Sequence, residues 1–127
     1  MILVDSSIWI GFQRVGFYDL LGGEEPVVCP PIIQEVLQGV RSERQYRETM
    51  DTFRAMTILE APMPVEVYEH AALIFRTARA VGYTIRSAAD CLIAACAIRN
   101  AVPVLHHDRD FAVIARVTTL EHRNLAN

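Results

Sequence analysis

The sequence predicts an α/β fold, a three-layer sandwich built on a central, mainly parallel β-sheet. Two features carry this. Short, uninterrupted apolar runs alternate with longer stretches whose apolar residues recur at helical spacing. Strands that read as apolar along their whole length belong in a sheet covered by helices on both faces. The chain has 127 residues and contains no internal repeat or linker-like stretch, so residues 1–127 are expected to form one domain.

Met1–Asp5 reads as a first buried strand, with Ile2, Leu3 and Val4 contiguous. Ser6 or Ser7 is suited to cap a following helix that holds Ile8, Trp9 and Phe12. Gly22-Gly23 breaks the chain, and Pro26–Cys29 reads as a second buried strand. Pro30-Pro31 then opens a helix, where proline is tolerated in the first turn, with Ile32, Ile33, Val36 and Leu37 as its apolar stripe and Gly39 near its end. Ser42–Met56 is charged and helical in period, with Tyr46, Met50 and Phe53 on one side. Thr57–Leu59 suggests a third short strand, ended by Pro62 and Pro64. Val65–Val81 is a long amphipathic helix stopped by Gly82, and Ser87–Asn100 is an unusually apolar one. Val102–Leu105 reads as a buried strand, Asp108–Ala115 as a last helix, and Val117–Leu120 as an edge strand.

Composition excludes several classes. Hydrophobic residues make up 52% of the chain, too many for a disordered protein. No apolar run approaches the ~18 residues of a membrane span, and MILVDSSIWI lacks a basic leader and a small-residue cleavage site, so a cytoplasmic protein is expected. The three cysteines, Cys29, Cys91 and Cys96, fit a disulfide framework poorly; Cys91 and Cys96 read as core thiols. All twelve basic residues are Arg. The lack of Lys rules out Walker-type NTPases, phospho-receiver domains and Schiff-base chemistry. The net charge of −3 advertises no strong basic field.

Four acids stand out. Asp5 ends the first strand, and Asp108 follows the strand Val102–Leu105, so both fall at the carboxyl edge of a parallel sheet, where such folds bind ligands. Glu35 lies in the helix after the second strand, and Asp90 in the first turn of the apolar helix, among Ala88, Ala89, Cys91, Leu92 and Ile93. Each alone has an ordinary reading: Asp5 and Asp90 as helix caps, Asp108 as a turn residue, Glu35 as a solvated helix residue. Together they can converge on one edge. At about 4 Å and an effective dielectric near 20, each carboxylate pair repels by roughly 4 kcal/mol. Such a pocket takes up protons or holds a divalent cation. All-oxygen ligation favours Mg²⁺ or Mn²⁺, which suit phosphodiester hydrolysis by polarising a phosphoryl oxygen and activating water.

Four segments, VDSSIWI at Val4–Ile10, IIQEVLQG at Ile32–Gly39, IRSAADCLIAACAI at Ile85–Ile98 and VLHHDRDF at Val104–Phe111, resemble a known family in order and spacing. The chain is similar to the PIN-domain nucleases, and specifically to the VapC-type toxins of bacterial toxin–antitoxin pairs. The resemblance implies that Asp5, Glu35, Asp90 and Asp108 form an acidic quartet binding one or two Mg²⁺ or Mn²⁺ ions. It implies that Ser7 hydrogen-bonds within the site. It matches Asp110 to a frequent but less constant acid, able to assist through water, though a helix-start or surface role is the favoured reading. It further implies a metal-dependent endoribonuclease that leaves 5′-phosphate and 3′-hydroxyl ends, acts on structured RNA such as tRNA or rRNA and arrests growth when unrestrained. A homodimer and a VapB-type antitoxin whose tail fills the acidic groove are also implied. One departure stands out: relatives usually carry Thr where this chain has His106, followed by His107. An imidazole there would tune metal choice or pH response, or be a strand-end histidine without metal contact, which is the favoured reading.

Arg41, Arg44, Arg47 and Arg54 are candidates for RNA phosphates, although interleaved Glu43, Glu48 and Asp51 also suit a plain solvated face. Arg86, one helical turn before Asp90, is suited to hold a phosphate or pair with a site acid. Trp9, Phe12 and Phe17 are candidates for base stacking, with core packing the commoner role. Two rival functions differ in class. A catalytically weak binding module would use the acids to hold a structural cation or a basic peptide. A phosphatase with a first-strand Asp nucleophile wants a second acid two residues on, where this chain has Ser7.

Overall fold

The computed structural model describes residues 1–11 and 16–125. Its sheet has the strand order β2-β1-β3-β4, with β1 Ile2–Val4, β2 Pro26–Val27, β3 Val104–His106 and β4 His122–Asn124, and every pairing is parallel. The helices are α1 Ser6–Gly11, α2 Phe17–Leu20, α3 Pro30–Gly39, α4 Glu43–Arg54, α5 Val65–Ala80, α6 Ala88–Asn100 and α7 Arg109–Val117. Strand alternation divides the core in two. Leu3 and Val104 face one apolar layer with Ile32, Ile74, Ile93, Phe111 and Ile114. Ile2, Val4 and Leu105 face another with Ile8, Phe17 and Leu21. This is the expected sandwich.

Local chemistry sets the helix boundaries. Ser42 caps α4 by accepting the Gln45 N–H at 3.0 Å. Past the end of α5, Gly82 adopts φ 88°, a left-handed value that a side chain would resist. α6 buries Asp90, Cys91, Ile93, Ala94, Ala95, Cys96 and Ala97, which explains why so little of it is polar. Among the described residues, no helix is long and apolar enough to cross a membrane.

Three expectations need correction. Thr57–Leu59 forms no strand: it contributes a single parallel bridge, Val28 to Ile58, because Glu60 turns away at φ 56° immediately afterwards. The edge strand is His122–Asn124, not Val117–Leu120. α7 runs through Val117, and the Thr118 hydroxyl then bonds the Ile114 carbonyl and accepts the Leu120 N–H, folding the chain into a turn. The first-helix cap is Asp5 rather than either serine, since Asp5 Oδ2 accepts the Ser7 N–H at 3.1 Å. α2 was not foreseen, and Phe12 lies outside the described residues.

Trp9 and Phe17 belong to the packing. Their ring centroids are 4.6 Å apart, Trp9 meets Phe53 edge-on at 5.2 Å, and its indole N–H donates to the Val4 carbonyl. Phe53 thereby joins α4 to α1. Phe53 is 1% exposed, so Phe53→Ala is expected to lower unfolding free energy by about 3–5 kcal/mol in urea titration. A loss below about 1 kcal/mol would contradict this packing.

Candidate metal centre

Strand order fixes where a site belongs. β1 pairs with β2 on one side and β3 on the other, so the chain departs in opposite directions from the β1/β3 pair. The crevice beyond the carboxyl ends of these two strands is the topological switch point. Asp5 follows β1 there, and Asp108, two residues beyond β3, opens α7. α3 brings Glu35 to the same edge, and the first turn of α6 brings Asp90.

The acids gather as two overlapping triplets. One carboxylate oxygen each from Asp5, Glu35 and Asp90 lie within 4.8 Å of one another, and the same holds for Asp90, Asp108 and Asp110. Asp90 belongs to both. Asp5, Asp90 and Asp110 are buried, while Glu35 and Asp108 are half-buried.

Hydrogen bonds divide the oxygens into those engaged by protein and those left over. Asp5 Oδ2 accepts the Ser7 N–H and the Ser7 hydroxyl, and the same hydroxyl accepts the His107 N–H at 3.0 Å. Ser7 therefore joins the β1 edge to the β3–α7 loop, in the role expected of it. The Ser6 hydroxyl donates to Glu35 Oε1 at 3.3 Å, a contact that the sequence reading missed. Asp108 Oδ1 accepts the Asp110 N–H at 2.9 Å, capping α7. Asp5 Oδ1, Asp90 Oδ2 and Asp110 Oδ1 are buried without a hydrogen-bond partner. Buried carboxylate oxygens left bare cost free energy unless a proton or cation meets them. That fits a divalent cation coordinated by oxygen, and the absence of sulfur or imidazole from the cluster fits a hard ion.

The electrostatics agree. Burial pushes the Asp5 carboxyl up, against the opposing pull of the Ser7 bonds. Burial and the Asp5 charge push Glu35 up. Asp90 is pushed to about 9, chiefly by burial, then by the Asp108 charge and by the Asp110 carboxyl beside it. Without a cation, Asp90 is thus neutral at pH 7, and its proton reconciles two facing carboxyls.

His106 is fully buried and is not a member of either triplet. Its Nδ1 accepts the Asp108 N–H at 3.1 Å, so the ring proton sits on Nε2 and donates to His122 Nδ1 at 2.8 Å. Both ring nitrogens are occupied, as the reading without metal contact requires. Burial and the neighbouring His122 hold its pKa down at about 4, so the ring is neutral. His122, on the polar strand β4, gave no sign of this role in the sequence.

Two further expectations change. Asp110 is not a surface residue: it is 1% exposed, and its Oδ2 accepts the N–H groups of Arg86 and Ser87, each at 3.0 Å. Arg86 meets Asp110 only through its backbone; its exposed side chain makes no ion pair among the described residues, leaving the guanidinium open to a ligand. In the α4 row, Arg44 and Arg47 pair with Glu48 and Glu43 on an exposed face, which favours the solvated reading. The surface depression lined by Ser42, Arg44, Gln45 and Glu48 contains none of the clustered acids.

A switch-point crevice lined by acids is suited to a divalent cation, and the comparisons show which family builds such a site here. The PIN domain family model matches residues 2–117, and the chain belongs to that family. The chain is 36% identical over 130 residues to VapC ribonuclease Mb1587 of Mycobacterium bovis, covering 95% of this chain and 96% of that protein. The same figures hold for ribonuclease VapC11 of Mycobacterium tuberculosis. Among solved structures, VapBC-1 from nontypeable Haemophilus influenzae covers 100% of both chains with TM-score 0.77 at 16% identity. VapBC2 from Rickettsia felis, bound to a DNA fragment from its promoter, covers 98% of each with TM-score 0.73 at 16% identity. At that identity these two speak to the fold. The phosphatase reading falls with this match.

The raised Asp90 value has a consequence for stability. In the unfolded chain this carboxyl titrates near 3.8, whereas in the folded chain it titrates near 9. Between these values the folded state keeps a proton that the unfolded state releases, so stability falls as pH rises. Without divalent cations, the urea midpoint of the wild type is expected to decline from pH 5 to pH 9. The decline should be shallower in Asp90→Asn. Equal slopes would contradict a neutral Asp90.

Proposed function

We propose that this chain is a metal-dependent endoribonuclease, the toxin of a type II toxin–antitoxin pair, built as a single PIN domain over residues 1–127. The observation that carries the reading is the set of buried, unpartnered oxygens on Asp5, Asp90 and Asp110 at the switch point. The names of its 36%-identical relatives, VapC ribonucleases, support the same activity.

Asp5, Glu35, Asp90 and Asp108 are the proposed cation ligands, with Mg²⁺ or Mn²⁺ as the ion. The cation would supply positive charge for the scissile phosphate and a more acidic water for in-line attack. Glu35 and Asp108, the half-buried members, are suited to orient that water or accept its proton. Ser7 holds Asp5 in place, and His106 holds the Asp108 amide. Arg86, exposed and without an ion pair among the described residues, is suited to an RNA phosphate. Structured RNA such as tRNA or rRNA is the proposed substrate. A VapB-type antitoxin is a proposed partner, in line with the VapBC assemblies among its structural neighbours, and a second copy of the chain is proposed beside it. The cytoplasm is the proposed compartment.

RNA cleavage by the purified protein with Mn²⁺ is the test. Asp5→Asn and Asp90→Asn are each expected to reduce cleavage by roughly 10³-fold or more while circular dichroism stays native. Arg86→Ala is expected to raise KM by roughly tenfold with kcat little changed. Undiminished cleavage in EDTA would exclude the metal mechanism.

A further inference from the structure

We propose that Asp110 is a positioning residue that locks the start of α6, and with it Asp90, against the start of α7, and with it Asp108. The proposal rests on the metal-site reading above and gives the fifth acid of the pocket a defined role.

Asp90 and Asp108 arrive on different segments, and among the described residues no hydrogen bond joins their side chains. Asp110 connects both. Its amide N–H donates to Asp108 Oδ1 at 2.9 Å, which fixes that carboxyl over the first turn of α7. Its own Oδ2 accepts two N–H groups, from Arg86 and Ser87, each at 3.0 Å. Ser87 is the N-cap of α6 and makes no side-chain capping bond; Asp110, from another helix, holds this terminus by accepting the N–H groups at and just before the cap. The Ser87 carbonyl in turn accepts the Asp90 N–H at 3.2 Å. A continuous path of hydrogen bonds thus runs from Asp108 through Asp110 and Ser87 to the backbone of Asp90.

The burial of Asp110, at 1% exposed, argues that this is a built contact. A surface acid at a helix start would keep its carboxylate in water. Here one oxygen is committed to two backbone donors, while Oδ1 stays unpartnered beside Asp90. The anchoring function needs one acceptor oxygen, not a charge, and that separates it experimentally from direct ligation of the cation.

Asp110→Asn keeps an oxygen for the two N–H groups and removes the charge; Asp110→Ala removes both. Mn²⁺ affinity by calorimetry and amide hydrogen exchange over residues 86–90 report without reference to RNA. Asp110→Ala is expected to weaken Mn²⁺ binding roughly tenfold or more and to speed exchange at Arg86 and Ser87, while Asp110→Asn stays within about threefold in both. Should Asp110→Ala not fold, Asp110→Ser, which leaves room for water at the two amides, takes its place with the same expectation. Asp110→Asn as damaging to Mn²⁺ binding as Asp110→Ala, with normal exchange, would overturn the proposal in favour of a direct ligand. Unchanged exchange in the Ala variant would overturn it outright. If the wild type binds Mn²⁺ and cuts no RNA, the ribonuclease reading fails and the anchor stands. If the wild type binds no Mn²⁺, the metal-site reading fails, and the exchange contrast between the Asn and Ala variants decides the anchor alone.

Discussion

Crowding carboxylates into the switch-point crevice is the constraint around which the rest of this protein is arranged. Three of the acids are buried, and like charges at such spacing repel by several kcal/mol. The fold offsets the repulsion by giving acids a second occupation. Asp5 Oδ2 caps α1, Asp108 Oδ1 caps α7, and Asp110 Oδ2 takes the backbone donors before α6. Each is a charge-assisted bond at a helix start, where the macrodipole also favours negative charge. What remains on the far side of Asp5 and Asp110, and on Asp90, is oxygen without a partner. A pocket that holds its own framework together with half of its ligand atoms keeps the other half fixed in place.

Asp90 differs from the others, because it belongs to both triplets and its Oδ2 has no hydrogen-bond partner among the described residues. Its proton takes the place of a cation. Binding of the proposed cation would exchange a proton for an ion, which would link metal affinity to pH and tie the resting stability of the fold to the state of a single carboxyl. The polar support around it is correspondingly rigid. Ser7 bridges Asp5 to His107, and the hydrogen-bonded His106–His122 pair runs from the edge strand to the Asp108 amide. His106 reaches β4 as well as Asp108. The acid site and the sheet edge are thereby parts of one hydrogen-bonded structure.

Much of this was legible in the sequence, for identifiable reasons. Ile2–Val4 and Val104–Leu105 are buried on both faces and therefore apolar throughout, so they read as parallel strands. Asp5, Glu35, Asp90 and Asp108 were conspicuous because acids beside such runs need an explanation. The failures have causes as well. β4 is His-Arg-Asn, which carries no strand signal, because it is an edge strand that is recruited through its pairing with Val104–His106. Thr57–Leu59 has the composition of a strand, but Glu60 leaves no length for pairing. Asp110 read as a helix-start or surface residue; its place at the start of α7 fits, but its burial was hidden because its partners are backbone N–H groups of Arg86 and Ser87, more than twenty residues away. Backbone donors have no sequence signature. The His106–His122 bond is long-range in the same way, and neither residue foretells the other.

The division between capping oxygens and free oxygens can be seen directly. Crystals soaked in Mn²⁺ and measured for anomalous scattering would locate the ion. The account predicts a manganese peak within the pocket, beside Asp5 Oδ1 and Asp90 Oδ2, with Asp5 Oδ2 still on Ser7 and Asp110 Oδ2 still on Arg86 and Ser87. Manganese elsewhere on the molecule, or bound in the pocket only after those capping bonds have broken, would contradict it.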